Sequence, residues 1–226
     1  MSLGRPIRAA FSVFSFSELG APLKLAAHDL FGLLVATSFA AGLNVYATIA
    51  TLGLLSHFGA IPLPATLQIL GSWYVIGVAV VLFAVEFFAD KIPAFDLIWN
   101  ALHTFIRVPI AALLAWRATA QLSPSEQLAA AVAGGLVALA AHGGKTAARA
   151  AVTPSPEPLS NTALSMGEDA VAIFLTWFAT RHPFLAGGIA LVLVVFVVLA
   201  IRWTIRALRA LFRGAERRLA AHSPKP

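Results

Sequence analysis

The chain has 226 residues, of which 59% are hydrophobic and only 12% charged, and it carries a formal net charge of +6. Soluble domains run at about 45–50% apolar and about 25% charged, and surface-to-volume scaling prevents one core of this size from hiding the excess. These figures exclude a soluble enzyme and a disordered chain. The basic residues flank apolar runs, as at membrane edges, which argues against nucleic acid as a partner. No cysteine is present, so disulfides and thiolate metal sites are excluded.

Residues 1–30 hold Arg5, Arg8 and Lys24 around the apolar patch Ala9–Phe16, which is too short to span and reads as a basic interfacial segment. A bilayer core of about 30 Å needs roughly 20 apolar helical residues per crossing. Six segments of residues 31–205 are candidates: about Leu33–Leu55, Trp73–Ala89, Phe95–Trp116, Pro124–Ala151, Ser165–Thr180 and Phe184–Trp203. The second and fifth are short. Ser123-Pro124-Ser125-Glu126 is a capping box with proline in the first turn, and Ser165-Met166-Gly167-Glu168 reads as a second box opening the fifth segment. Asp96 is placed to cap the third segment or stand in its first turn, and Pro109 to kink or break it. The prolines of Thr153–Asn161 predict a loop or re-entrant stretch rather than regular helix. The tail, residues 206–226, continues a helix bearing Arg202, Arg206, Arg209, Arg213, Arg217 and Arg218, suited to anionic headgroups. Two basic ends predict cytoplasmic termini, hence an even number of crossings. Six satisfies this, and four would if the short segments re-enter.

Two runs match at an offset of 90: Phe88-Ala89-Asp90-Lys91-Ile92-Pro93 and Phe178-Ala179-Thr180-Arg181-His182-Pro183. They predict two three-segment units, about 31–118 and 124–205. An odd number of spans per unit makes the second inverted, as in secondary transporters with sites near the midplane. The expected fold is therefore an all-α polytopic membrane protein of about six transmembrane or re-entrant helices in two inverted repeats.

Ionisable groups inside hydrocarbon face protein or water. Asp96, Asn100, His103 and Arg107 recur at spacings of four, three and four, which aligns them on one helix face, with Leu97, Ile98, Ala101, Phe105 and Val108 opposite. Glu86 and Asp90 end the second segment, and Glu168 and Asp169 open the fifth. Together these residues predict a shared polar interior. His142, Lys145 and Arg149 form a further stripe, a candidate contact for an anion or lipid headgroup. Gly134-Gly135 and Gly143-Gly144 are surfaces for close helix approach, through which copies of the chain could also associate. No metal or cofactor motif is present.

Ala40-Ala41-Gly42-Leu43-Asn44-Val45-Tyr46 with Ser56-His57-Phe58-Gly59, then Glu86 with Ile92-Pro93-Ala94-Phe95-Asp96, then Gly143-Gly144-Lys145-Thr146, Arg149, Asn161 and Glu168 resemble one family. This is the bacterial integral-membrane family catalogued as domain of unknown function 4126. The resemblance spans about residues 30–205 and implies a multi-span inner-membrane protein with no established reaction. At Asn100 the chain departs from it, since many members carry an acid there. The leading expectation is transport or channelling of a small polar or charged solute, with protons as one coupling ion carried by Glu86 and Asp96. A lipid-modifying membrane enzyme gripping a headgroup through His142, Lys145 and Arg149, and a non-catalytic assembly protein, are the alternatives.

Overall fold

Backbone in hydrocarbon must satisfy its own hydrogen bonds, and this chain does so with helices. The computed structural model describes residues 27–152 and 158–222, with the side chains of 27, 93–97, 150–161, 204, 207–208, 210–212 and 214–222 excepted. Seven α-helices follow in order: α1 Ala27–Leu43, α2 Val45–His57, α3 Trp73–Ala89, α4 Pro93–Ala118, α5 Pro124–Val152, α6 Pro158–Arg181 and α7 Pro183–His222. A 3-10 turn, Ala65–Gly71, precedes α3, and among the described residues there is no strand. The stretches Ile98–Ala118, Pro124–Arg149 and Pro183–Trp203 are long and apolar enough to cross a membrane; Ala65–Gly71 with Trp73–Ala89 forms a fourth if its 62° bend lies within one span. Large apolar side chains such as Phe105, Val192 and Phe196 face outward while charged ones are buried, the distribution of a membrane protein.

Helix ends follow their local chemistry. Ser123 N–H donates to Glu126 Oε2 at 2.9 Å and Glu126 N–H donates back to Ser123 Oγ at 3.4 Å, as the capping box requires. Proline opens α4, α5, α6 and α7, where its missing N–H is harmless. Gly59 ends α2 in the left-handed region at φ 67°, a conformation that favours glycine.

Several expectations are corrected. α6 starts at Pro158, so the helix claims the end of the proline-rich stretch, while residues 153–157 lie outside the described residues, as do residues 1–26. Ser165 consequently sits inside α6 instead of capping it, and its hydroxyl donates to Asp90 Oδ2 at 3.4 Å. α4 runs unbroken through Pro109; packed neighbours make such prolines tolerable in membrane helices.

The largest correction concerns Leu33–Leu55, which is two helices parted at Asn44. Asn44 is extended (φ −150°, ψ 103°), and its side-chain oxygen accepts from Ala47 N–H at 2.9 Å, capping α2. Gly32 of α1 abuts Pro183 and Phe184, and Gly42 abuts Ala138 and Ala141. From there the chain turns back. Tyr46 meets His103, Gly53 meets Leu70 and Ile76, and Leu52 clusters with Leu67 and Leu70 beside Leu114 and Ala118. The start of α1 and the end of α2 thus share one end of the bundle with the α4–α5 and α6–α7 connections. Asparagine explains the reversal: its amide supplies a cap that costs an uninterrupted helix nothing to lack, and an apolar residue would not offer it.

The bundle closes on small residues. Ala36, Ala40, Ala172, Ala179, Ala186 and Ala190 are fully buried in one cluster, which lets helix backbones approach closely where lipid offers no hydrophobic drive. Gly134 and Gly144 sit at tight crossings, against Ala115 and Ser38 and against Val197 respectively, whereas Gly135 and Gly143 have ordinary room.

Candidate functional site

The stripe on α4 presents Asn100, His103 and Arg107 inward, all at most 2% exposed, with Ile98 and Phe105 outward. Asp96 lies on the first turn of α4, but its side chain is outside the described residues. α3 contributes Glu86 and, at its end, Asp90; α5 contributes His142, Lys145 and Arg149; α6 contributes Glu168 and Asp169. All are buried. The candidate sites from the sequence thus converge on one cluster beside the α1–α2 turn. His142, Lys145 and Arg149 are not a separate grip facing headgroups, because all three are buried with their polar atoms engaged inside it.

The pairing is dense. Arg107 Nη2 donates to Glu86 Oε1, and Lys145 Nζ reaches the same oxygen at 3.3 Å. Lys145 Nζ also lies 3.1 Å from Asp90 Oδ2 and 3.5 Å from Glu168 Oε2. Arg149 Nη2 bridges Asp90 Oδ2 at 2.8 Å and Glu168 Oε2 at 2.7 Å. The last carbonyl of α1, Leu43 O, accepts from Lys145 Nζ at 3.3 Å, placing a cation at a helix C-terminus where the dipole favours it. Asp169 is held differently: its Oδ1 accepts from Asn44 Nδ2 at 2.8 Å.

The histidines are fixed by their partners. Arginine can only donate, so His142 Nδ1, 2.8 Å from Arg107 Nη1, is an acceptor. Its proton is then on Nε2, which faces Thr104 Oγ1 at 2.8 Å and Asn100 O at 3.0 Å. His103 Nδ1 faces Trp99 O at 2.8 Å and so donates, with Nε2 3.2 Å from the Tyr46 hydroxyl.

Asn44, Tyr46, Thr104 and Ser165 belong to the cluster without having been singled out for it. One signal was available: an asparagine directly after a glycine-containing apolar run, a residue that prefers caps to helix interiors. Among the described residues no group of three or more His, Asp or Glu side chains is arranged to hold a metal ion. Among the described residues, the cluster sets four buried carboxylates (Glu86, Asp90, Glu168 and Asp169) against three buried permanent cations, Arg107, Lys145 and Arg149, with the half-buried Lys91 acting on Asp169 and Asp90 from its edge.

No curated protein and no solved structure matches the chain. The motifs around Asn44, Glu86, Lys145, Arg149 and Glu168 that converge on this cluster all fall within residues 31–203, and over that range the chain matches, and so belongs to, the family described as Domain of unknown function (DUF4126).

Proposed function

We propose that the protein is a membrane transporter or channel for a small polar or charged solute, with the proton as coupling ion. The observation that carries this reading is Asp169, a buried carboxylate that, unlike Glu86, Asp90 and Glu168, has no cation within ion-pair distance among the described residues. Packing alone has no use for it, because apolar residues of similar volume commonly serve as well as a buried ion pair. A buried carboxylate with no paired cation is a place where a proton can bind and leave. The half-helix ends at Asn44, with an α1 carbonyl on Lys145 and the α2 N-cap side chain on Asp169, resemble the devices with which discontinuous membrane helices hold ions.

The proposed topology is five crossings, α3 to α7, plus the re-entrant α1–α2 hairpin. On this count α2–α3–α4 and α5–α6–α7 run in opposite senses. The two matching runs fall at the α3–α4 and α6–α7 junctions, at opposite ends of the bundle, which supports an inverted repeat. The arginine tail of α7 is cytoplasmic by the positive-inside rule, in an inner membrane, and lies against anionic headgroups. Residue 27 then lies on the other side, in place of the two cytoplasmic ends that six crossings would give.

The close pairing of the cluster favours one second reading, a non-catalytic assembly protein. The cavity of about 290 Å³ near Leu33, Leu52, Leu114 and Pro183 is apolar and lined by no histidine, so it lends nothing to a lipid-modifying enzyme. The deciding experiment uses liposomes with a pH-sensitive dye inside. Sodium, potassium, phosphate and a panel of amino acids are added outside, with wild type and Glu86→Gln compared. Solute-dependent proton movement in wild type, reduced at least tenfold in Glu86→Gln, supports transport; identical traces for every solute in both proteins favour the assembly role.

A further inference from the structure

Of the four buried carboxylates, three are each within ion-pair distance of two cations: Glu86 of Arg107 and Lys145, Asp90 of Lys145 and Arg149, and Glu168 of the same pair. Protonating any of them would strand buried positive charge. Asp169 differs. It is 4% exposed, among the described residues its side chain's only hydrogen bond comes from a neutral amide, and its Oδ2, like Glu86 Oε2 and Glu168 Oε1, is buried with no hydrogen-bond partner. The charged groups around it are Lys145 and, beyond it, Arg149 on α5, Glu86 and Asp90 on α3, Lys91 in the α3–α4 turn and Glu168 beside it on α6; α1 and α2 present it with Asn44. Arg107 on α4 is committed to Glu86.

Asn44 cannot turn over to escape this contact. Its Oδ1 is already used by Ala47 N–H at 2.9 Å, so Nδ2 is the group that must face Asp169. A neutral Asp169 is served by one such donor, with the proton on Oδ2 and Oδ1 still accepting. An ionised Asp169 demands more, and the free amides and positive dipole end of α2 are what lie nearest in the chain beyond Asn44.

We propose that Asp169 is the carboxyl that takes up and releases the transferable proton, and that Asn44, at the α1–α2 turn, is the positioning residue that reports its state to the hairpin. This names the coupling site of the transport reading and rests on that reading for its role. The step is a proton binding to and leaving Oδ2, with no other bond changed.

The test is pH-difference infrared spectroscopy on the full-length protein in liposomes, following the protonated-carboxyl stretching band. Wild type should show a titrating band that persists in Glu86→Gln and is lost in Asp169→Asn. Asn44→Ser keeps a competent helix cap and replaces the amide donor to Asp169 with a shorter hydroxyl that is turned to the α2 amides. It should keep the band and move its midpoint up by about one pH unit, tenfold in proton affinity. That variant tests the site independently if Asp169→Asn does not fold. A band that survives Asp169→Asn, that vanishes in Glu86→Gln, or that is unmoved in Asn44→Ser overturns the proposal. The readout needs no solute flux, so the expected spectra without any transport would leave the proton site standing and remove the transport reading alone.

Discussion

Glu86 receives cations from two other helices through one oxygen, Arg107 of α4 and Lys145 of α5, and it is inaccessible to solvent. The energetics of such a group are asymmetric. Removing one partner leaves an uncompensated buried charge and costs about 3–5 kcal/mol, whereas removing the pair together is often near neutral. Arg107→Met should therefore lower stability by about that amount in thermal melts in one detergent, and also leave His142 Nδ1 without its donor. Adding Glu86→Gln should restore most of the loss, because Lys145 keeps Asp90 and Glu168 when Glu86 no longer needs it. A double variant no more stable than Arg107→Met would show that Glu86 is not what holds the guanidinium.

Between helices, α5 and α7 meet at Gly144, where an added Cβ would stand 2.6 Å from a methyl of Val197. Valine is stiff about its first side-chain torsion and cannot swing clear. Gly144→Ala should cost about 1–3 kcal/mol of stability, and Val197→Ala in the same chain should recover it; equal melting of Gly144→Ala and wild type would mean the crossing is looser than described. The α1–α2 turn makes a sharper claim. Because the chain has no cysteine, single cysteines report cleanly. His28→Cys and Phe58→Cys, both exposed, should react with an impermeant maleimide from the same side of sealed vesicles. Labelling from opposite sides would restore a straight crossing. The turn also marks where the sequence stopped being informative. Periodicity placed Asn100, His103 and Arg107 on one buried face, since three- and four-residue spacing leaves a helix no other option. The run from Leu33 to Leu55 is apolar on both sides of Asn44, so hydropathy cannot tell one bent crossing from two half-helices. Only the partners at each end, Pro183 for Gly32 and Leu70 for Gly53, do so.

At the scale of the molecule, the same ambiguity governs orientation. Two basic ends made the expected number of crossings even, which ties both ends of the chain to one face. On the proposed topology the reversal at Asn44 removes one crossing and unties them. Packing fixes the relation independently of any bilayer. Gly187 near the start of α7 touches Gly32 of α1, and Gly144, beyond the middle of α5, touches Val197 further along α7. α1, α5 and α7 therefore run the same way, and the α7 tail emerges at the end away from the start of α1. Four arginines there, Arg202, Arg206, Arg209 and Arg213, are exposed. Each basic residue near an anionic leaflet is worth about 1 kcal/mol, and the proposed topology accordingly puts this end in the cytoplasm. Arg213→Cys should accordingly resist impermeant maleimide added outside intact cells and react in inverted vesicles, while His28→Cys does the reverse. If both positions react from one side, the hairpin is a full span and the two three-helix units must be counted from α1 instead of α2.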